Sequence, residues 1–238
     1  MQTLVKQQVF TYTEKSSDST AIVVAAGSAL RMGGLNKLLM PLCDTPVIIR
    51  TLRAFDKSLI DNVVLVVKKE DVLKYQQLLD EYKIKKVSDI VPGGETRAIS
   101  VKNGLERVKT TKLLVHDGAR PLVTPELINN IILKLNDNVA VAPGIKVIDT
   151  VKKTNGDYIK ETIPRDDLVL IQTPQGFNTK KYLECLKYLE SDVTDDCMLF
   201  EKNGIPVLIV PGSAENIKIT TINDIPLLEA IIERRGEK

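Results

Sequence analysis

The chain has 238 residues, of which 43% are hydrophobic and 27% charged, with a formal net charge of +2. That balance suits a globular protein long enough to bury one generous core, and the charge is too small for a nucleic-acid surface, which would carry a clustered basic face. No apolar run approaches the roughly 20 residues of a membrane span, and the N-terminal stretch has no apolar core of signal-peptide length, so a cytoplasmic chain is expected.

Residues 1–19 read as a polar N-terminal extension, and 20–238 as one domain. Residues 21–33, AIVVAAGSALRMG, pass from a β-branched apolar run into two alanines, a glycine, a serine and Arg31. This predicts a buried strand delivering a tight loop and a helix start. Small residues at Ala25, Ala26, Gly27 and Ser28 let a ligand approach the backbone, whose amides can hold phosphate oxygens, and Arg31 adds fixed positive charge. A polyphosphate is the expected ligand.

A helical pattern follows through Val47, Ile48, Leu52 and Phe55, then NVVLVV at 62–67, then a helix through Val72, Tyr75, Leu78 and Leu79. The βαβα order implies parallel strand pairing. VPGGETRAISVKNGLERV then repeats the logic of the first loop, with a glycine turn before a helix carrying Ile99, Val101, Leu105 and Val108. KLLVHDGARPL is a strand ending in His116, Asp117 and Gly118. Ligand crevices in open α/β sheets lie beyond the carboxyl ends of strands, so Asp117 and Gly27 should face one cleft. Thr124 is set to cap a helix with Pro125 at its first position.

From Val139 the character changes. VAVAP is another buried strand, but DTVKKTNGDYIKET is two polar, β-prone runs around Asn155-Gly156, a strong hairpin signal. Its faces hold too few apolar residues for the core, which predicts a projecting arm that pairs with a second copy of the chain. LVLIQTPQGF, a helix through Tyr182, Leu183, Leu186 and Leu189, the strand PVLIV and a final helix from about Asn223 complete the expected fold. Between them Thr194 is expected to cap a helix with Asp195 and Asp196 in its first turn, ending at Gly204. Cys43, Cys185 and Cys197 are odd in number and lack metal-site spacing, so free thiols are expected.

The strings AAGSALRMG, NKLL, VPGGETRAISV, VHDGARPLV, TPQGF, TDD and ENIKIT occur in that order between residue 20 and about 233. Together they resemble the 2-C-methyl-D-erythritol 4-phosphate cytidylyltransferase family of the non-mevalonate isoprenoid pathway. The resemblance implies a Rossmann-like nucleotidyltransferase fold of three α/β/α layers, a homodimer built through the arm at about 147–166, CTP and Mg²⁺ as requirements, and pyrophosphate as co-product. A phosphate monoester oxygen would attack the α-phosphorus of CTP. That nucleophile is mostly dianionic at neutral pH, with a second pKa of about 6, so neither a protein nucleophile nor a general base is needed. The barrier falls instead through orientation and placed cations.

On this resemblance Arg31, Lys37 and Lys218 are the catalytic cations, and Asp117, with Glu215 as a second carboxylate, holds the metal. Ala25, Ala26, Gly27, Ser28 and Gly118 would lie along the nucleotide, and Gly94, Glu95 and Ser100 at the cytosine and ribose. Arg120, Thr150, Arg165, Thr173 and Thr194 would contact the acceptor, Arg165 from the neighbouring subunit. The chain departs from the family at Ala29, where a glycine is usual, at Glu95, where aspartate is usual, and in an Arg31–Lys37 gap often one residue longer. His116 is expected to be structural, since the chemistry needs no proton shuttle, and Asp195 and Asp196 to supply helix N-terminal charge and a substrate hydroxyl contact. Three alternatives compete. Ribitol-5-phosphate cytidylyltransferases share fold and nucleotide but tend to show HDAVRP where this chain has HDGARP; nucleotide-sugar glycosyltransferases need an Asp-x-Asp motif where this chain has His116-Asp117-Gly118; and a non-catalytic nucleotide-binding protein would have no need of the charged set.

Overall fold

A computed structural model describes residues 16–27, 36–136, 138–187 and 195–237. In chain order the elements are β1 (Ser19–Val24), β2 (Pro41–Leu42), β3 (Thr45–Pro46), α1 (Val47–Asp56), β4 (Asn62–Val67), α2 (Val72–Glu81), β5 (Val87–Pro92), α3 (Arg97–Leu105), β6 (Lys112–Asp117) and α4 (Pro125–Lys134). They continue with β7 (Ala140–Lys146), β8 (Val151–Asn155), β9 (Tyr158–Ile163), β10 (Val169–Ile171), β11 (Gln175–Asn178), α5 (Thr179–Leu186), α6 (Cys197–Lys202), β12 (Leu208–Pro211) and α7 (Asp224–Arg235).

β5, β4, β1 and β6 lie side by side and parallel, in that order. β11 then runs antiparallel to both β6 and β7, and β7 also takes β12 in parallel and β10 antiparallel. The order reverses between β1 and β6: from β1 the chain goes outward to β4 and β5, then returns to β6 on the other side. Such a reversal opens a crevice beyond the carboxyl ends of the two strands. Val24, the last residue of β1, is the register partner of Asp117, the last of β6.

The β1 sequence is apolar on both faces because both are covered. Ala21 and Val23 pack with Leu65 and Leu114 under α1, α2, α4 and α7, whereas Ile22 packs with Val64, Val66 and Val115 under α3, α5 and α6. This is the expected three-layer α/β/α sandwich around a mostly parallel sheet. Capping follows the sequence at α4, where the Thr124 hydroxyl accepts from the Leu127 amide and Pro125 opens the helix.

Three local features differ from expectation. β5 was not foreseen, its last two residues being read as part of the glycine turn, because VSDIVP is a half-buried edge strand whose polar residues hide the pattern. α6 begins at Cys197, so Asp195 and Asp196 precede it rather than form its first turn; the Asp195 carboxylate accepts from the Met198 amide, and Thr194, the expected cap, lies outside the described residues. The arm forms as a separate two-stranded unit, β8 against β9, but Asn155 pairs with Tyr158, so Gly156 and Asp157 make the turn. Gly156, at φ 58°, takes the first turn position, where a positive φ favours glycine.

Candidate active-site cleft

A cleft of about 960 Å³ opens at the predicted switch point. Among the expected residues, Ala26, Gly27, Lys37, Gly94, Glu95, Ser100, Asp117 and Lys218 line it. They come from five places in the chain, and the sheet order explains their meeting. The loop after β1, the turn after β5 and the end of β6 are all carboxyl ends of parallel strands. Lys218 is carried in by the ENIKIT segment, whose Ile219 amide donates to the Ala119 carbonyl at 2.8 Å.

Small residues matter at one contact above all. A methyl group on Gly93 would overlap the Ala26 side chain and crowd the Ser100 hydroxyl, so the two glycine-rich turns can approach only because that side chain is absent. Ser100 closes the second turn, its hydroxyl accepting from the Gly94 amide at 3.1 Å and donating to the Thr96 carbonyl at 2.9 Å. The Thr96 hydroxyl caps α3 at the Ile99 amide.

Asp117 is the electrostatic centre. Lys218 Nζ stands 2.8 Å from its Oδ2, Arg97 Nε 3.3 Å from its Oδ1, and Arg120 Nε 3.9 Å from Oδ2. Burial alone would raise this carboxyl, but the Lys218 ammonium and the Arg97 guanidinium outweigh it and hold Asp117 well below the usual carboxylate range. It is therefore an anion at neutral pH. The Asp117 amide donates to the Thr173 hydroxyl at 3.1 Å, and the same hydroxyl lies 3.1 Å from His116 Nδ1. His116 is fully buried, edge-on to Phe55, and burial pushes its imidazole down to about 3. It stays neutral and structural.

Several expected contacts fall elsewhere. The Ala25 amide donates to the Val66 carbonyl at 2.7 Å, so it is spent within the sheet edge and cannot hold a phosphate. Gly118 likewise donates its amide to Val24 at 2.9 Å and does not line the cleft. Arg120 donates to the Asn216 carbonyl at 2.7 Å and Thr173 is buried behind Asp117, so both support the site from beneath. Glu215 is not a partner of Asp117: its carboxylate is held by Arg234 and Arg235, and it does not line the cleft. Thr150 and Arg165 sit at the exposed arm, where the Arg165 guanidinium donates to the Ile148 carbonyl. Ser28, Ala29, Arg31 and Thr194 lie outside the described residues.

Sequence reading passed over Arg97, and it gave Asp196 helix N-terminal charge and a substrate hydroxyl contact rather than the buried ion pair it makes. Arg97 Nη2 lies 2.7 Å from Asp196 Oδ2, and Tyr182 donates to Asp196 Oδ1 at 2.6 Å. A usable signal existed for the arginine. It opens a helix, where the dipole disfavours a cation, a cost that nearby acidic side chains offset.

Among the described residues no group of three or more metal-ligating side chains occurs. Mg²⁺ does not require one: it keeps waters and takes one or two carboxylates beside substrate phosphates. An ionised Asp117 on the cleft wall, outside any cluster of ligating side chains, fits an ion that arrives with a nucleotide and does not fit a cage built by the protein.

The sequence profile of the 2-C-methyl-D-erythritol 4-phosphate cytidylyltransferase family matches residues 19–234. The enzyme of that name from Geobacillus kaustophilus is 38% identical over 221 residues, covering 90% of this chain and 97% of its own. Its counterpart from Clostridium novyi is 41% identical over 225 residues, covering 91% and 97%. Among solved structures, the 4-diphosphocytidyl-2C-methyl-D-erythritol synthase of Anaerococcus prevotii superposes with a TM-score of 0.79 at 35% identity, covering 91% of this chain and 98% of that one. The Thermus thermophilus cytidylyltransferase gives 0.75 at 27% identity, covering 89% and 98%.

Proposed function

The chain belongs to the 2-C-methyl-D-erythritol 4-phosphate cytidylyltransferase family, and on that premise we propose that the cleft around Asp117 is where CTP and the alcohol phosphate react. The enzyme transfers CMP from CTP to 2-C-methyl-D-erythritol 4-phosphate, giving 4-diphosphocytidyl-2-C-methyl-D-erythritol and pyrophosphate for isoprenoid synthesis. The ribitol 5-phosphate alternative is not favoured, since family and relatives alike carry the methylerythritol name.

The observation that carries the placement is Lys218 at 2.8 Å from Asp117, across a cleft also lined by Gly27, Lys37 and Gly94. The nucleotide lies along the two glycine turns, its base toward Gly94 and Glu95 and its phosphates toward Gly27 and Lys37. Lys218 sits where charge builds on the α-phosphate and Lys37 where pyrophosphate departs; Arg31 is assigned to the same triphosphate from the sequence alone. Asp117 would hold Mg²⁺, which when bound neutralises phosphate charge. The acceptor's own phosphate oxygen is the nucleophile, so the protein's part is to orient two anions and offset their repulsion.

In this reading the enzyme is cytoplasmic, with one catalytic domain that begins at β1 with Ser19, one residue before the expected boundary. Among the described residues no helix is long and apolar enough to cross a membrane. It works as a homodimer through the arm, and Tyr158 and Ile159 support this, being large apolar side chains left 82% and 66% exposed. From that arm Thr150 and Arg165, and from beyond the described residues Thr194, would reach the acceptor. Pyrophosphate release over a panel of nucleotides with methylerythritol 4-phosphate and ribitol 5-phosphate tests the assignment. CTP with the first acceptor should dominate, and preferential turnover of ribitol 5-phosphate overturns it.

A further inference from the structure

Arg97 opens α3 immediately after the Gly93–Gly94 turn, yet its side chain spans two other elements. Its Nε faces Asp117 Oδ1 at the end of β6, and its Nη2 faces Asp196 Oδ2 just ahead of α6. The two oxygens of Asp117 are thus held by different cations, Oδ1 by Arg97 and Oδ2 by Lys218, with Arg120 behind it at 3.9 Å. One cation can hold a carboxylate close; two on separate oxygens also fix its plane. At the far end Asp196 is itself fixed, with its side chain 3% exposed, Tyr182 donating to Oδ1, and its amide donating to Gln175 Oε1 at 3.1 Å.

We propose that Arg97 is a positioning residue: anchored on the buried Asp196, it sets the orientation of the Asp117 carboxylate in the cleft. The inference rests on the reading of Asp117 as the nucleotide-side carboxylate. A guanidinium suits the task because its rigid fork presents separate N–H groups to separate acceptors, which a lysine ammonium does not do at fixed geometry. The dipole penalty of an arginine at a helix start is offset by the two acids it joins. Lys218 cannot replace it, since its side chain is 42% exposed and approaches only Oδ2.

Removing Arg97 alone would leave Asp196 charged, buried and without its cation, which destabilises folding whatever Arg97 does for catalysis. The discriminating variant is therefore R97A combined with D196N, compared with R97K and with D117N, all in the full-length chain. Each is measured for thermal midpoint, for Mg-CTP binding by calorimetry, and for kcat and acceptor KM. We expect R97A/D196N to recover the parental midpoint and stay near the parental acceptor KM while its kcat stays down by about 10²-fold, the scale on which a small misplacement acts. R97K should likewise fold but not regain kcat. Parental kcat in R97A/D196N or in R97K would overturn the proposal and leave the arginine a structural tie. If D117N itself keeps parental kcat and Mg-CTP affinity, the reading of Asp117 fails first, and the role of Arg97 falls with it.

Discussion

Lys37 Nζ donates to the Ile219 carbonyl at 2.7 Å, joining residues 182 positions apart. The bond ties the segment just ahead of β2 to the segment bearing Lys218. Of the two lysines assigned to the triphosphate, Lys37 is thereby held by the carbonyl next to Lys218, and Lys218 itself by Asp117. Both lysines are thus held at the cleft wall by fixed protein acceptors, the kind of placement that preorganised charge requires.

Lys218→Ala should lower kcat by about 10² to 10³-fold, the usual effect of losing one placed donor at a site of developing charge. CTP KM should change far less, because the loss falls mainly in the transition state. Steady-state pyrophosphate release resolves the two parameters. A raised KM with intact kcat would place Lys218 in ground-state binding instead.

Lys37→Ala removes both the charge and the tie to Ile219, whereas Lys37→Gln keeps a donor for the carbonyl. If the charge acts on the leaving pyrophosphate, both variants should lose kcat to a similar degree. If the tie is what matters, Lys37→Gln should retain most activity. Turnover of the two variants side by side separates the effects.

Gly93→Ala should destabilise the protein by about 1 to 3 kcal/mol, the range for overpacking a filled contact. The added methyl would meet Ala26 and Ser100 and push the two glycine-rich turns apart. CTP affinity should fall together with the thermal midpoint. Gly27→Ala is the control: nothing stands within 4 Å of a methyl there, so folding should be little changed.

His116 should make the fold acid-sensitive without entering the chemistry. Its folded pKa, about 3, lies below the unfolded value near 6.5, so the unfolded chain binds the extra proton between those limits. Stability from this group is present above pH 6.5 and is lost as pH falls toward 3, about 2 kcal/mol between pH 7 and pH 5. Asp117, also held below its ordinary value, adds loss in the same direction at lower pH. Thermal midpoints across this range should fall more steeply for the parent than for His116→Gln. The pH profile of kcat/KM should show no histidine limb.

Arg165→Ala should raise the KM for the alcohol phosphate while leaving the dimer intact, because the residue is assigned to the neighbouring site. Ile159→Lys, on the exposed strand β9, should do the opposite and favour the monomer. Sedimentation velocity with acceptor kinetics on both variants checks the pair. Unchanged acceptor KM in Arg165→Ala would count against the contact between subunits.

Strand and helix order were legible in the sequence because periodicity reports burial directly: β1 is apolar from Ala21 to Val24 since both faces are covered, and α1 shows its buried face at Val47, Ile48, Leu52 and Phe55. The cleft was legible in part, since a strand that ends in small residues or in an aspartate marks its carboxyl end wherever the sheet places it. Three-dimensional proximity decided the rest. Glu215 and Arg120 look alike in sequence as charged residues near motifs, yet one pairs with α7 and the other braces Asp117 from below. Ala25 looks like loop and is held by Val66. Arg97 and Asp196 are 99 positions apart, and no local pattern encodes their ion pair. Burial patterns are properties of neighbouring residues and survive in one dimension, whereas the pairing of charges depends on which elements the sheet order brings together.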